Sequence, residues 1–320
     1  MESNKRLSRH EQAVMVQLLR AHGLRVDGRA AATERHMTLE TEEIPSAAGS
    51  ARVRLPGSTE VLAGTSTELQ SHVSEGAQTT IPEGCLTFRV EFCGAADRLY
   101  QGRGAEAPSA EMTSLLASIY QPARRLRRSL MAGQQTEDVR GQLRTRYCCW
   151  SLCVDVLVLG TGGGNVVDAA TVAVRAALAT TYLPAVEWRE GVGRGGTAGW
   201  ELVDDWERYQ PVDVTSAPLS ITLVWMAEGK GTADGVTGES ILPDPVVDPS
   251  AEEESSAAAA LTVASAGSRH LCGVLQRGVL SLPPETVKKA VEQGITRCAE
   301  RCASLDAFIA ESIAAAEADE

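Results

Sequence analysis

Two successive runs of extended segments, each closed by a helix, predict an α+β chain whose two halves pack into one unit. Three observations carry that expectation. The segment CLTFRVEFC alternates with period two, with Leu86, Phe88, Val90 and Phe92 on one side and Thr87, Arg89 and Glu91 on the other, as a half-buried strand does. The run CWSLCVDVLVLG ends in a glycine turn, GTGGGN, that opens an alanine-rich helical stretch, VVDAATVAVRAAL. In the second half the order recurs: LSITLVWM, AALTVAS and HLCGVLQ precede a long helical segment at residues 284–310.

In chain order, residues 1–22 hold a short N-terminal helix over 11–19, with Ala13, Val14, Val16, Leu18 and Leu19 apolar, before GLRVDGR breaks it. The first half, residues 23–190, begins with ARVRL and EVLAGTS around the turn tetrapeptide PGST, which reads as an antiparallel hairpin. The loop YQGRGAEAPS leads to AEMTSLLASIY, a helix with Met112, Leu115, Leu116 and Ile119 on one face, ended by Pro122. Residues 121–146 are rich in Arg and Gln without apolar periodicity, and are expected to be a mobile insertion. Residues 191–217 read as a polar connecting loop and residues 218–320 as the second half, which carries a loop at GKGTADGVTGES and the acidic stretch DPSAEEESS.

A hydrophobic fraction of 43% is enough for one large core or two modest ones. There is no apolar window of membrane-spanning length, and MESNKRLSRHEQ is polar where a secretory signal would be apolar, so a soluble intracellular chain is expected. The net charge of −12 argues against an independent, sequence-blind nucleic-acid binder, because phosphate contacts supply most of such affinity. Arg124, Arg125, Arg127 and Arg128, reinforced by Arg140, Arg144 and Arg146, form a local basic run that is either solvated surface or an approach for RNA or an acidic partner. The eight cysteines include no CxxC pair, and no histidine stands at ligand spacing, so neither a metal site nor a disulfide framework is expected. No cofactor is expected either.

The glycine turn raises the possibility of nucleotide binding, yet its residues do not fit. G-x-G-x-x-G fails in both registers, since the sixth position is Asn165 or Val167, and no P-loop lysine is present. Asn165 and Asp168 have the spacing of a helix cap and its acidic partner, which would place a carboxylate where a phosphate would sit. The remaining role is steric: Gly162, Gly163 and Gly164 allow a tight turn with positive φ, and Ala169, Ala170, Ala173, Ala176 and Ala177 let the helix lie close to the sheet.

Several motifs together carry a resemblance. LRVDGR, SARVRLPGSTEVLAG, EGCLTFRVEF, QGRGAE, the strand, turn and helix around GTGGGN, and later DPSAEEES with ALTVAS follow the order and spacing of RNase PH-like ring subunits of the RNA exosome, over about residues 24–305. The pattern is most similar to the non-catalytic branch of that ring. The resemblance implies an RNase PH-like fold with a first half like ribosomal S5 domain 2, and a hetero-hexameric ring with other RNase PH-like subunits. It further implies S1/KH cap proteins above the ring and RNA threaded to a separate hydrolytic exonuclease for 3′-to-5′ processing and degradation, rRNA included. The implied location is the nucleus, with its nucleolus, and the cytoplasm.

Active relatives use phosphate as nucleophile, and their turn reads G-G-T-R with the arginine on the phosphate; the aligned residues here are Gly163, Gly164, Asn165 and Val166. Active relatives also carry arginines in the helix where this chain has Ser114 and Ser118. Their acidic pattern D-x5-D becomes Asp248 and Glu254. The resemblance therefore implies a degenerate site at Val166, Asp248 and Glu254 and no enzymatic activity, the alternative being a phosphorolytic 3′-to-5′ exoribonuclease, alone or as half of a composite site. Asp155 is a candidate acid by type, or else a carboxylate satisfied at a subunit contact or strand end. Arg103, within QGRGAE, matches a position where ring subunits present basic groups to RNA, and Arg98 lies nearby; the alternative for both is a solvated loop.

Overall fold

The computed structural model describes residues 7–75, 83–139, 142–190, 198–228 and 240–319. Helix α1 (Arg9–His22) begins where the sequence supplies a reciprocal cap: Ser8 Oγ accepts from the Glu11 amide at 3.3 Å and the Glu11 carboxylate accepts from the Ser8 amide at 2.7 Å. Gly23 ends it in the left-handed region, φ 64°. Met15 and Val16 turn the helix onto Val224, Met226 and Val246 of the second half.

The first sheet contains β1 (Thr38–Thr41), β2 (Gly49–Leu55), β3 (Thr59–Glu75) and β4 (Cys85–Phe92). After helices α2 (Glu106–Tyr120) and α3 (Arg124–Ser129) come β5 (Met131–Val139) and β6 (Gln142–Thr161). The order is β1-β2-β3-β6-β4, with β5 paired to β6. The β2–β3 hairpin closes at Leu55↔Thr59 as PGST requires, and the alternation of β4 is kept, with Val90 and Phe92 buried and Arg89 and Glu91 exposed. Strand β4 runs parallel to β6, the one parallel pair in this sheet among the described residues.

Helix α4 (Val166–Ala179) is followed by the short strands β7 (Tyr182–Leu183), β8 (Val186–Arg189), β9 (Gly199–Leu202) and β10 (Gln210–Pro211). The second sheet consists of β11 (Pro218–Glu228), β12 (Ser240–Ile241), β13 (Val246–Val247), β14 (Ala257–Ala266) and β15 (Leu271–Gly278). Helix α5 (Ala251–Ser256) lies between β13 and β14, and α6 (Pro284–Asp319) covers β11 and β14. Its order is β12-β11-β14-β15, with β13 on β11.

Helix α4 is the joint between the halves. It packs against β2 and β3 on one side and β11 on the other, and Ala169, Ala170, Ala173, Ala176 and Ala177 have no exposed surface. Small side chains permit that approach, and one apolar cluster consequently runs from Val53, Val61 and Leu152 through α4 to Leu219, Leu305 and Ile309. Arg175 crosses this core 1% exposed, pairing with Asp306 Oδ2 of α6 at 2.8 Å and donating to the carbonyls of Val214, at 2.8 Å, and Ala217. Among the described residues no helix is long and apolar enough to cross a membrane.

Two expectations are corrected. Residues 121–146 are not a mobile insertion: α3 and the β5–β6 hairpin fill them, apart from residues 140 and 141, which lie outside the described residues. Ala123, Leu126 and Leu130, three and four residues apart, are buried, but the arginines between them conceal that spacing in a hydropathy reading. The stretch 191–217 is not simply a loop either. Its described part, from residue 198, contributes β9 and β10, and Trp200 of β9 stands against Trp188 of β8 with ring centroids 5.2 Å apart. Residues 191–197, and 229–239 of GKGTADGVTGES, lie outside the described residues.

Candidate functional site, a closed charge network at the glycine turn

The site lies where the turn before α4 meets the β13–α5 connection. Gly164 has φ 72°, and a Cβ there would stand 2.6 Å from the Ala251 amide nitrogen; a Cβ on Gly163 would stand 2.6 Å from the Pro56 carbonyl. The turn is thus pressed between the β2–β3 hairpin and the start of α5. Its glycines are required by close approach, as the steric reading expects, though of the three only Gly164 has positive φ.

The expected cap is corrected. Asn165 has left-handed backbone angles, φ 54° and ψ 40°, and makes no side-chain cap bond. Asp168 is fully buried and accepts from Ser220 Oγ at 2.7 Å and from the Thr222 amide at 2.8 Å, so it joins α4 to β11 rather than capping its own helix. Burial pushes its pKa up, against the attraction of Arg301 and these hydrogen bonds. The carboxylate that reaches the start of α4 belongs to Glu254, whose Oε1 accepts from the Asn165 amide at 3.0 Å.

Asp248 is buried and held in the left-handed region, φ 50°, by its partners. Arg35 donates to it through Nη2 at 2.6 Å, Nε at 2.9 Å and its amide at 2.8 Å. Asn165 Nδ2 adds a bond at 2.7 Å and Arg29 Nη1 another at 3.1 Å. Burial raises the Asp248 pKa, but the Arg35 bonds and charge outweigh it and hold the carboxyl at about 2. Arg35 also donates to the carbonyls of Gly163, at 2.6 Å, and Pro249, at 3.1 Å, tying the glycine turn to the acidic segment. Beneath it, buried Arg25 forks onto Glu253, with Nε to Oε1 at 2.8 Å, and donates to the carbonyls of Val247 and Asp248.

Glu254 has the opposite environment. Burial pushes its pKa up to about 7, with the Asp168 charge adding to the rise and the Asn165 amide and Arg35 opposing it. The structure therefore brings Val166, Asp248 and Glu254 together, with Val166 itself buried in the core around α4. Among the described residues, the guanidinium groups around them, those of Arg25, Arg29, Arg35 and Arg301, are each engaged by a carboxylate or carbonyl of the chain.

The other candidates stand elsewhere. Arg98 and Arg103 are exposed in two short 3-10 turns, Arg98–Tyr100 and Gly102–Ala105, and among the described residues neither makes an ion pair. Tyr100 anchors this loop by packing on Phe92 with ring centroids 4.8 Å apart. Asp155 is half exposed and lies 3.6 Å from Arg89. Ser114 and Ser118 are exposed on α2. In the basic run Arg127 and Arg128 pair with Glu83 at 3.1 and 3.4 Å, while Arg124 and Arg125 remain exposed. The arginines that organise the site, Arg25, Arg29 and Arg35, escape a sequence reading because their carboxylate partners in the network lie more than 200 positions away; for Arg25 and Arg29 the signal available was LRVDGR, quoted above for its order and not for its charges. Among the described residues no cluster of three or more His, Cys, Asp or Glu side chains is arranged to hold a metal ion.

A sheet-and-helix unit repeated about a buried, glycine-led helix is the architecture of RNase PH-like proteins, and the comparisons agree. Residues 33–184 match the 3′ exoribonuclease family, domain 1, and residues 235–297 match its domain 2; the chain belongs to this family. Among named relatives, the exosome complex component Rrp42 of Thermococcus kodakarensis is 26% identical over 294 residues, covering 90% of this chain and 94% of the relative. A Dictyostelium discoideum protein with the provisional name exosome complex exonuclease RRP42 is 25% identical over 304 residues, covering 84% of this chain and 88% of the relative. The fold is shared with a chain of the Archaeoglobus fulgidus exosome with RNA bound to the active site, at TM-score 0.63 and 20% identity over 91% of this chain and 96% of that one.

Proposed function

We propose that this chain is a non-catalytic ring subunit of the RNA exosome, supporting 3′-to-5′ RNA processing and degradation by shaping the path of RNA to a separate nuclease. One observation carries the non-catalytic part: at the position of the phosphate-binding arginine stands Val166, buried, and the amide end of α4 is taken by Glu254. Inorganic phosphate entering here would meet Glu254 and Asp248 with no guanidinium among the described residues free to compensate it. The names of the relatives support ring membership. The S1/KH caps and the hydrolytic exonuclease as partners, and the nucleus, nucleolus and cytoplasm as locations, belong to the same proposal and rest on the sequence resemblance alone.

Incubated with labelled poly(A), phosphate and magnesium, the purified chain is expected to release no nucleoside diphosphate. Release that stops on Asp248→Ala would establish the phosphorolytic alternative instead. An affinity-tagged copy is expected to bring down RNase PH-like and S1/KH chains in one assembly, and persistence as a monomer in its own cells would count against the ring.

Arg98 and Arg103 are proposed to face RNA in that assembly, because they are exposed on an anchored loop and make no ion pair among the described residues. Replacing both with alanine is expected to reduce RNA crosslinking to this subunit by several-fold; unchanged crosslinking would remove the assignment.

A further inference from the structure

Between the two segments matched by the family models, in residues 185–234, lie the β8–β9 hairpin and the 3-10 turn Trp206–Arg208 that follows it. The hairpin is firmly seated. Trp188 and Trp200 meet edge to face, the Arg146 guanidinium lies 4.9 Å from the Trp188 ring centroid, and Trp200 sits so close to Gly133 of β5 that a Cβ there would stand 2.6 Å from its ring. The turn is fastened to β8 by Arg208 and Glu187 at 2.7 Å, and its start is capped by Asp205, which accepts from the Glu207 amide.

What this platform presents is unusual. Trp206 is 80% exposed and Leu202 57% exposed, although the core has few aromatic residues to spare. Five acidic residues, Glu201, Asp204, Asp205, Glu207 and Asp213, and one basic residue, Arg208, lie between positions 198 and 213. Arg189 occupies Glu201 and Glu187 occupies Arg208, whereas Asp204 and Glu207 make no ion pair among the described residues. A solvent-facing indole beside carboxylates that make no ion pair among the described residues attracts a cationic side chain twice, through the ring face and through the charge. It repels RNA, whose bases the indole alone would otherwise suit.

We propose that Trp206 is the anchor of a docking surface for an arginine- or lysine-rich segment of a partner protein, with Leu202 receiving an apolar neighbour and Asp204 and Glu207 the charges. A buried tryptophan at the centre of a small contact is the usual bearer of its affinity.

The test uses the full chain and three fluorescent probes: a peptide alternating Arg and Leu, the same peptide with Glu for Arg, and poly(A). The Arg peptide is expected to bind with an affinity that falls as salt rises. Binding is expected to weaken about tenfold or more in Trp206→Ser, an exposed position that the fold does not need, and in the charge reversal Asp204→Lys/Glu207→Lys. Equal binding of the Glu peptide, binding of poly(A) that Trp206→Ser abolishes, or Arg-peptide binding unchanged in both variants would overturn the proposal. So would concentration-dependent self-association abolished by Trp206→Ser, which would make a second copy the occupant.

Discussion

Arg175→Met is expected to destabilise the chain by about 3–5 kcal/mol, read as a lower urea midpoint with an unchanged denaturant slope. The methionine keeps most of the buried stem volume but donates nothing. The carbonyls of Val214 and Ala217 are then left without the guanidinium inside the joint between the halves, and each unsatisfied buried group costs about 1–3 kcal/mol. Asp306 is 47% exposed and returns to water, so Asp306→Asn, which leaves an acceptor for the guanidinium, is expected to cost less. Equal losses for the two variants would mean that the ion pair, and not the carbonyl contacts, holds α4 to the second half.

Glu254→Gln is expected to stabilise the chain above neutral pH, by up to about 3 kcal/mol at pH 8.5. The folded-state pKa is raised, from 4.5 to about 7, so the favourable contribution of the neutral acid is fully present below about 4.5 and is lost as pH rises through about 7. Glutamine keeps the acceptor for the Asn165 amide and removes the buried charge. A rise in Tm of about 5 °C at pH 8.5, shrinking to about 1 °C near pH 5, checks the claim by thermal melts of the two proteins. A gap independent of pH would refute it. Asp248 acts in a separate window: its pKa is depressed to about 2 from 3.8, so its contribution is present above about 3.8 and disappears only in stronger acid.

These two predictions rest on different kinds of information. The alternation in β4, the hairpin at PGST, the capped N-terminal helix and the alanine face of α4 are local, and each residue's neighbours in the chain specify them. The proposed loss of a phosphate anchor at Val166 rests on the resemblance instead, because Val166 and Glu254 depart from the pattern of active relatives. Helix α3 was not legible, since Leu126 and Leu130 are outnumbered by arginines whose heads stay in water while the leucines turn inward. Nor was the role of Asp168, where the right spacing for a cap was overruled by the hydroxyl and amide groups of Ser220 and Thr222 more than 50 positions away.

By itself, then, the sequence determined the fold class and the order of the elements, which depend on short-range spacing and residue type. Only the tertiary structure decided how the charges pair. Asp248 is ionised because three groups from distant segments converge on it, and Glu254 becomes a weak acid because the same packing excludes water from it. Coulombic and desolvation energies depend on distance and burial in space, and neither is encoded in separation along the chain.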